Sequence, residues 1–194
     1  ITGAPTADAG ANAAICTTAG SYTLGGSATN YASVLWTSSG TGTFTPNAST
    51  LTATYTPSAS DNATGQVQLT LTATGNGTCG TASDMMVLTI WPGATANAGP
   101  DAAICEGDAF TLTAATASNY ATITWSSSGT GTFDNANALN PVYTPSAADI
   151  TAGTVDLTLT ATGLGTCSTV TSTMTLTITG APTADAGANA AICT

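Results

Sequence analysis

The first seventeen residues, ITGAPTADAGANAAICT, recur unchanged as residues 178–194, so the run that starts at Ile1 starts again at Ile178. A weaker repeat of about half that period lies inside it, visible when Ile15-Cys16 is set beside Ile104-Cys105 and Ile192-Cys193. A pair of similar domains is therefore being copied. The expected layout is a first repeat over 1–92, a second over 93–180 and the opening of a third over 181–194, a window on a longer tandem array. Stacked modules of this kind extend reach without creating a new site in each copy, so spacers, stalks and fibres lead the functional reading.

Charge narrows the partners. The sequence has no Lys, Arg or His against ten Asp and Glu, a formal charge of −10. Nucleic acid is set aside, because phosphate affinity comes from basic side chains that release counterions. The acidic residues are scattered and read as solubilising, apart from Asp101, Glu106 and Asp108, where calcium could stiffen a junction. The first repeat carries Asn12 and Thr17 at corresponding places, so no metal is assigned. No cofactor is implied.

Strict alternation dominates the pattern. Residues 66–74, 84–90, 155–162 and 172–178 place apolar side chains at every second position, with Thr between them, which predicts strands with one wet face. Further short strands are expected near 12–16, 20–26, 32–38 and 50–56. Six or seven such strands per repeat, with a Trp in the third, predict an all-β chain of tandem immunoglobulin-like (PKD-like) antiparallel β-sandwich domains arranged as a rod.

Within that plan Trp36 and Trp125 are core candidates, each following an Asn-Tyr-Ala turn, and Tyr55 and Tyr143 are packing residues. Ser58-Ala-Ser-Asp61 and Ser146-Ala-Ala-Asp149 have the Ser-x-x-acid spacing that caps a helical turn. Gly40-Thr-Gly42 and Gly129-Thr-Gly131 resemble phosphate loops only superficially, since no Lys follows and neither opens a helix; a bulge or sharp strand exit is expected. Without His or Lys no hydrolase triad can be assembled, and no catalytic residues are assigned.

Five cysteines remain. Cys16 to Cys79 and Cys105 to Cys167 are spaced alike to within one position, which predicts one disulfide in each repeat, with Cys193 pairing outside the window. Zinc lacks its usual CxxC or His partners. Disulfides imply an oxidising compartment.

The runs ADAGANAAIC and ANAGPDAAICEGD, then NYA, W-x-SSGTGTF, YTPSA-x-D, LTLTATG-x-GTC and M-x-LTI, resemble the immunoglobulin-like and PKD-like repeats of very large secreted surface proteins of Bacteroidota. Gliding-motility adhesins and surface filaments exported by the type IX secretion system belong to that group. The resemblance implies an extracellular, cell-surface stalk in attachment or gliding, in which the tryptophans are core and the cysteines staples. Its partners would be neighbouring repeats, like chains in a filament, and an external surface or glycan reached through other domains. A glycan- or surface-binding module within the repeats is the alternative, and an ice-binding face of Thr rows a third.

Overall fold

The computed structural model describes residues 3–182 and 184–187. Among these the chain groups into two compact units, one of Ile1–Thr95, Ala117–Thr122 and Ala161–Val170, the other of Ala96–Thr116, Ile123–Thr160 and Thr171–Thr194. Cys193 lies outside the described residues.

The first repeat contributes β1 (Thr6–Asp8), β2 (Ala13–Cys16), β3 (Tyr22–Thr23), β4 (Ser27–Thr29), β5 (Tyr31–Ser38), β6 (Thr43–Thr45) and β7 (Thr54–Thr56). A helix α1 (Ala59–Thr64) and the long strands β8 (Gln66–Gly75) and β9 (Thr81–Trp91) complete it. One sheet has the order β2-β9-β8-β5, a second β3-β7-β6, and β1 pairs with β4. The alternation read at 66–74 and 84–90 maps onto β8 and β9, where every second residue of β8 from Val67 is buried. The strand expected over 20–26 is interrupted instead, with β3 ending at Thr23 and β4 starting at Ser27.

The two sheets close on a core of Leu24, Val34, Trp36, Tyr55, Leu69, Leu71, Met86, Leu88 and Ile90. Trp36 is 1% exposed, and its indole Nε1 donates to the Leu51 carbonyl at 3.3 Å, so the one polar atom of the ring is satisfied.

The sheets are not antiparallel throughout. β2 runs parallel to β9, with Ala13 opposite Leu88 and Cys16 opposite Trp91. The Asp-Ala-Gly of the opening motif explains how the chain gets there. Asp8 accepts the Gly10 N–H at 2.8 Å, Ala9 is fully buried, and Gly10 sits at φ 85°, a left-handed value that a side chain disfavours. The chain turns there, leaving the β1–β4 pair for the edge of the other sheet. Asn12 then fixes the register by accepting the Val87 N–H at 2.8 Å.

The second repeat reproduces the plan with β10 (Thr95–Asn97), β11 (Ala102–Cys105), β12 (Phe110–Thr111), β13 (Thr116–Ser118) and β14 (Tyr120–Ser127). It continues through β15 (Thr132–Phe133), β16 (Val142–Thr144), α2 (Ala147–Ala152), β17 (Thr154–Gly163) and β18 (Val170–Thr179). β11 is again parallel to β18, with Cys105 opposite Thr179. Trp125 is 3% exposed and donates to the Leu139 carbonyl.

Removing a fully buried indole leaves a cavity that the two sheets cannot close. Trp36→Ala is expected to lower unfolding free energy by about 3–5 kcal/mol, read from urea denaturation curves. A loss below about 1 kcal/mol would contradict the packing described.

Candidate functional site

Two arrangements concentrate the polar chemistry of this chain. The first surrounds a buried carboxylate. Ser58 caps α1, accepting the Asp61 N–H at 3.1 Å while Asp61 Oδ2 accepts the Ser58 N–H at 3.0 Å, which is the reciprocal capping box the Ser-x-x-Asp spacing specifies. Asp61 is nonetheless 3% exposed, and a buried charge needs more partners than a cap provides. The Gly40-Thr-Gly42 loop supplies them: Thr41 N–H donates to Oδ1 and Gly42 N–H to Oδ2, both at 3.0 Å. Tyr55 Oη donates to Oδ2 at 2.7 Å. The Tyr55 oxygen in turn accepts from Gly42 N–H at 3.2 Å and lies 2.8 Å from Ser38 Oγ.

This explains the glycines. A Cβ on Gly40 would overlap the Asp61 carboxylate, and one on Gly42 would meet Tyr55 Oη and the Thr56 carbonyl. The loop does cradle an anion, but the anion is the protein's own side chain. The second repeat repeats it with Asp149, which is held by Thr130 N–H and Gly131 N–H at 2.9 Å, Tyr143 Oη at 2.7 Å and Ser146 N–H at 3.0 Å. Tyr55 and Tyr143 are thus buried packing residues that also carry a hydrogen bond to the carboxylate. Among the described residues no buried side-chain nitrogen or oxygen is left without a partner.

Burial pushes the Asp61 and Asp149 carboxyls up, yet the converging donors outweigh it. Both end below the ordinary 3.8, Asp149 at about 2. The neighbouring phenols move up, first by burial and then by the adjacent carboxylate.

The second arrangement is a disulfide, and it corrects the expected pairing. Cys16 is bonded to Cys167, 151 residues away, with the Cα atoms 5.0 Å apart, and neither Cys16–Cys79 nor Cys105–Cys167 forms. The reason is the parallel register of β2. Cys16 lies opposite Trp91 at the end of β9, whereas Cys79 sits in the turn before Thr81 at its start. An eleven-residue strand spans roughly 33 Å, far beyond the ~7 Å that a disulfide tolerates between Cα atoms. The second repeat has the same register, with Cys105 opposite Thr179 and Cys167 ahead of Val170.

The bond therefore joins the end of β2 in one sequence repeat to the β17–β18 turn of the next. Trp91, Gly93, Asn119 and Gly165 fall with it in the first compact unit. Cys167 Sγ packs 3.5 Å from the carbonyl oxygens of Trp91 and Pro92. Gly165, at φ 54°, leaves room for the Trp91 indole, which a Cβ there would overlap. The segment Trp91-Pro92-Gly93 is pinned further: Gly93 N–H donates to Thr17 Oγ1, and its carbonyl accepts from Asn119 Nδ2, both at 3.2 Å.

Asp101 lies elsewhere in its role. It accepts the Thr175 N–H at 2.8 Å, the counterpart of Asn12 on Val87, and among the described residues Asp101, Glu106 and Asp108 do not gather into a group able to hold a metal ion. Sequence reasoning missed the cross-repeat bond and the role of Gly-Thr-Gly. The recurrence of Gly-Thr-Gly and Ser-x-x-Asp in both repeats was the available signal for the latter.

No family model and no curated protein matches this sequence. Among solved structures the chain is similar to immunoglobulin domains 1–4 of Sidekick-1, with a TM-score of 0.59 and 16% identity over 91% of this chain and 49% of that one. It is also similar to a three-immunoglobulin-domain titin fragment carrying E-to-A mutations, with a TM-score of 0.55 and 16% identity over 93% of this chain and 67% of that one. The chain spans about half the length of the Sidekick-1 structure. Identity at this level establishes the fold: the chain is a tandem of immunoglobulin-like β-sandwiches.

Acid should expose the carboxylate lock. Because the folded-state pKa of Asp149 is depressed, its contribution is complete above the unfolded value of 3.8 and is lost as pH falls toward about 2. The shift corresponds to roughly 2 kcal/mol. Melting temperature should fall between pH 4 and pH 2, and Asp149→Asn should lower it at neutral pH while flattening that acid limb. An unchanged acid limb in the variant would assign the effect to other groups.

Proposed function

We propose that these repeats form the elongated stalk of an extracellular, cell-surface adhesin or surface filament, holding a binding region away from the cell in attachment or gliding. The observation that carries this reading is the Cys16–Cys167 bond, a covalent tie from one sequence repeat to the next. A spacer gains from such a tie, because it joins successive repeats covalently. The repeat boundaries suited to the role are those of the sequence periodicity, 1–92 and 93–180, with 181–194 opening another copy.

Other features agree with that role. The disulfide suits an oxidising environment outside the cytoplasm. No described helix is long and apolar enough to cross a membrane. The buried carboxylates are consumed by internal hydrogen bonds, which leaves them to structure rather than catalysis. The Bacteroidota-type motifs supply the bacterial, PKD-like setting of the proposal, and neighbouring repeats, like chains and an outer surface are its partners. A glycan-binding module is the second reading, favoured by Tyr31, which is 38% exposed beside Val34 and Leu51.

Small-angle scattering of the oxidised chain tests the stalk. Each domain should add about 35–45 Å to the longest dimension, given strands of roughly 33 Å plus loops, and reduction should broaden the distance distribution. A compact particle would reject the stalk, and specific glycan capture lost in Tyr31→Ala would favour the second reading.

A further inference from the structure

Cys105 occupies in the second repeat the place that Cys16 occupies in the first. Each ends a four-residue Ala-Ala-Ile-Cys strand, and each strand lies parallel to the last long strand of its repeat in the same register. Their surroundings differ, beginning with the residue opposite each, Trp91 for Cys16 and Thr179 for Cys105. Cys16 is buried, 4% exposed, with Cys167 bonded to it, whereas Cys105 is an exposed free thiol. Ile15 is likewise buried, and its counterpart Ile104 is only half-buried.

The periodicity specifies what would cover that end. Cys79 stands in the β8–β9 turn, Gly75-Asn-Gly-Thr-Cys79, as Cys167 does in Gly163-Leu-Gly-Thr-Cys167. The offset that carries Ile1 to Ile178 carries Cys79 to position 256. From Cys105 to that position the separation is 151, the same as between the bonded Cys16 and Cys167. The agreement follows from the half-period offsets, 89 residues from Cys16 to Cys105 and 88 from Cys79 to Cys167, which together make up the full period, so the sequence places the two cysteine pairs equivalently.

We propose that Cys105 forms a disulfide with the turn cysteine of the following repeat, so that the same covalent clamp recurs at successive repeat boundaries. This deepens the stalk reading but rests on the bond and the period alone. Two thiols give up two protons and two electrons, and the acceptor is a small-molecule or protein disulfide. The Cys105 thiolate attacks it and releases one thiol, and the turn thiolate then displaces the second from the mixed disulfide.

The test is the chain lengthened by one period, with residues 18–177 repeated after Thr194, oxidised in a glutathione buffer and digested with pepsin without reduction. Mass spectrometry should find a peptide linking Cys105 to the cysteine at position 256, beside the Cys16–Cys167 peptide. In the chain ending at Thr194, Cys105 should instead be alkylated. Detection of Cys16–Cys167 with Cys105 alkylated in the lengthened chain overturns the proposal, as does Cys105 joined to Cys79, to Cys167 or to another chain. Absence of both bonds overturns it too, since the clamp being generalised would not exist. Scattering can fail to show a stalk while this linkage stands, so the two ideas fail separately.

Discussion

The parallel pairing of β2 with β9 is the constraint on which the rest of each repeat depends. A strand placed antiparallel at that edge would return Cys16 toward the turn that holds Cys79. Run parallel, it carries the cysteine to the opposite end of the sheet, beside Trp91. The cost is a change of direction between β1 and β2, which Gly10 and its counterpart Gly99 absorb at φ 85° and 93°. Short polar side chains then hold the edge in place, Asn12 in one repeat and Asp101 in the other.

The internal carboxylates follow from a different limitation. A chain with no basic side chain cannot neutralise a buried Asp with an ion pair. Backbone N–H groups and a phenol stabilise it instead, and they bind a loop, a helix start and a strand into one unit around a single side chain. Four donors converge from Thr41, Gly42, Tyr55 and Ser58 on two oxygens. Hydrogen bonds to fixed dipoles of this sort are far less open to screening by salt than a surface ion pair.

Much of the fold can be read from side-chain period. Alternation places β8, β9, β17 and β18, because a strand with one buried face must alternate, and Ser-x-x-Asp marks the starts of α1 and α2. Period two says nothing of which neighbour a strand takes or in which direction. That is why the matched spacing of Cys16 with Cys79 and Cys105 with Cys167 points to bonds the sheets cannot make. The Gly-Thr-Gly loops announce themselves only by recurring with Ser-x-x-Asp, because their ligand, Asp61, is nineteen residues beyond Gly42 and is brought there by tertiary packing. Trp36 and Trp125 are buried where a polar indole needs one acceptor, and the carbonyls of Leu51 and Leu139 that serve it come from loops no local pattern identifies.

The bond from Cys16 to Cys167 also changes how tension would travel. Pulled from its ends, a chain without crosslinks passes the load along every peptide bond. Here the load leaves the backbone at Cys16 and re-enters it at Cys167, so the interval between them, a sequence separation of 151, is excluded from the path. The long strands β8 and β9, the core around Trp36 and both carboxylate locks lie inside that interval. Strain would fall on the segments outside it, β1 and β18 among them, and the core around Trp36 could lose its packing without adding the contour length of that interval to the chain.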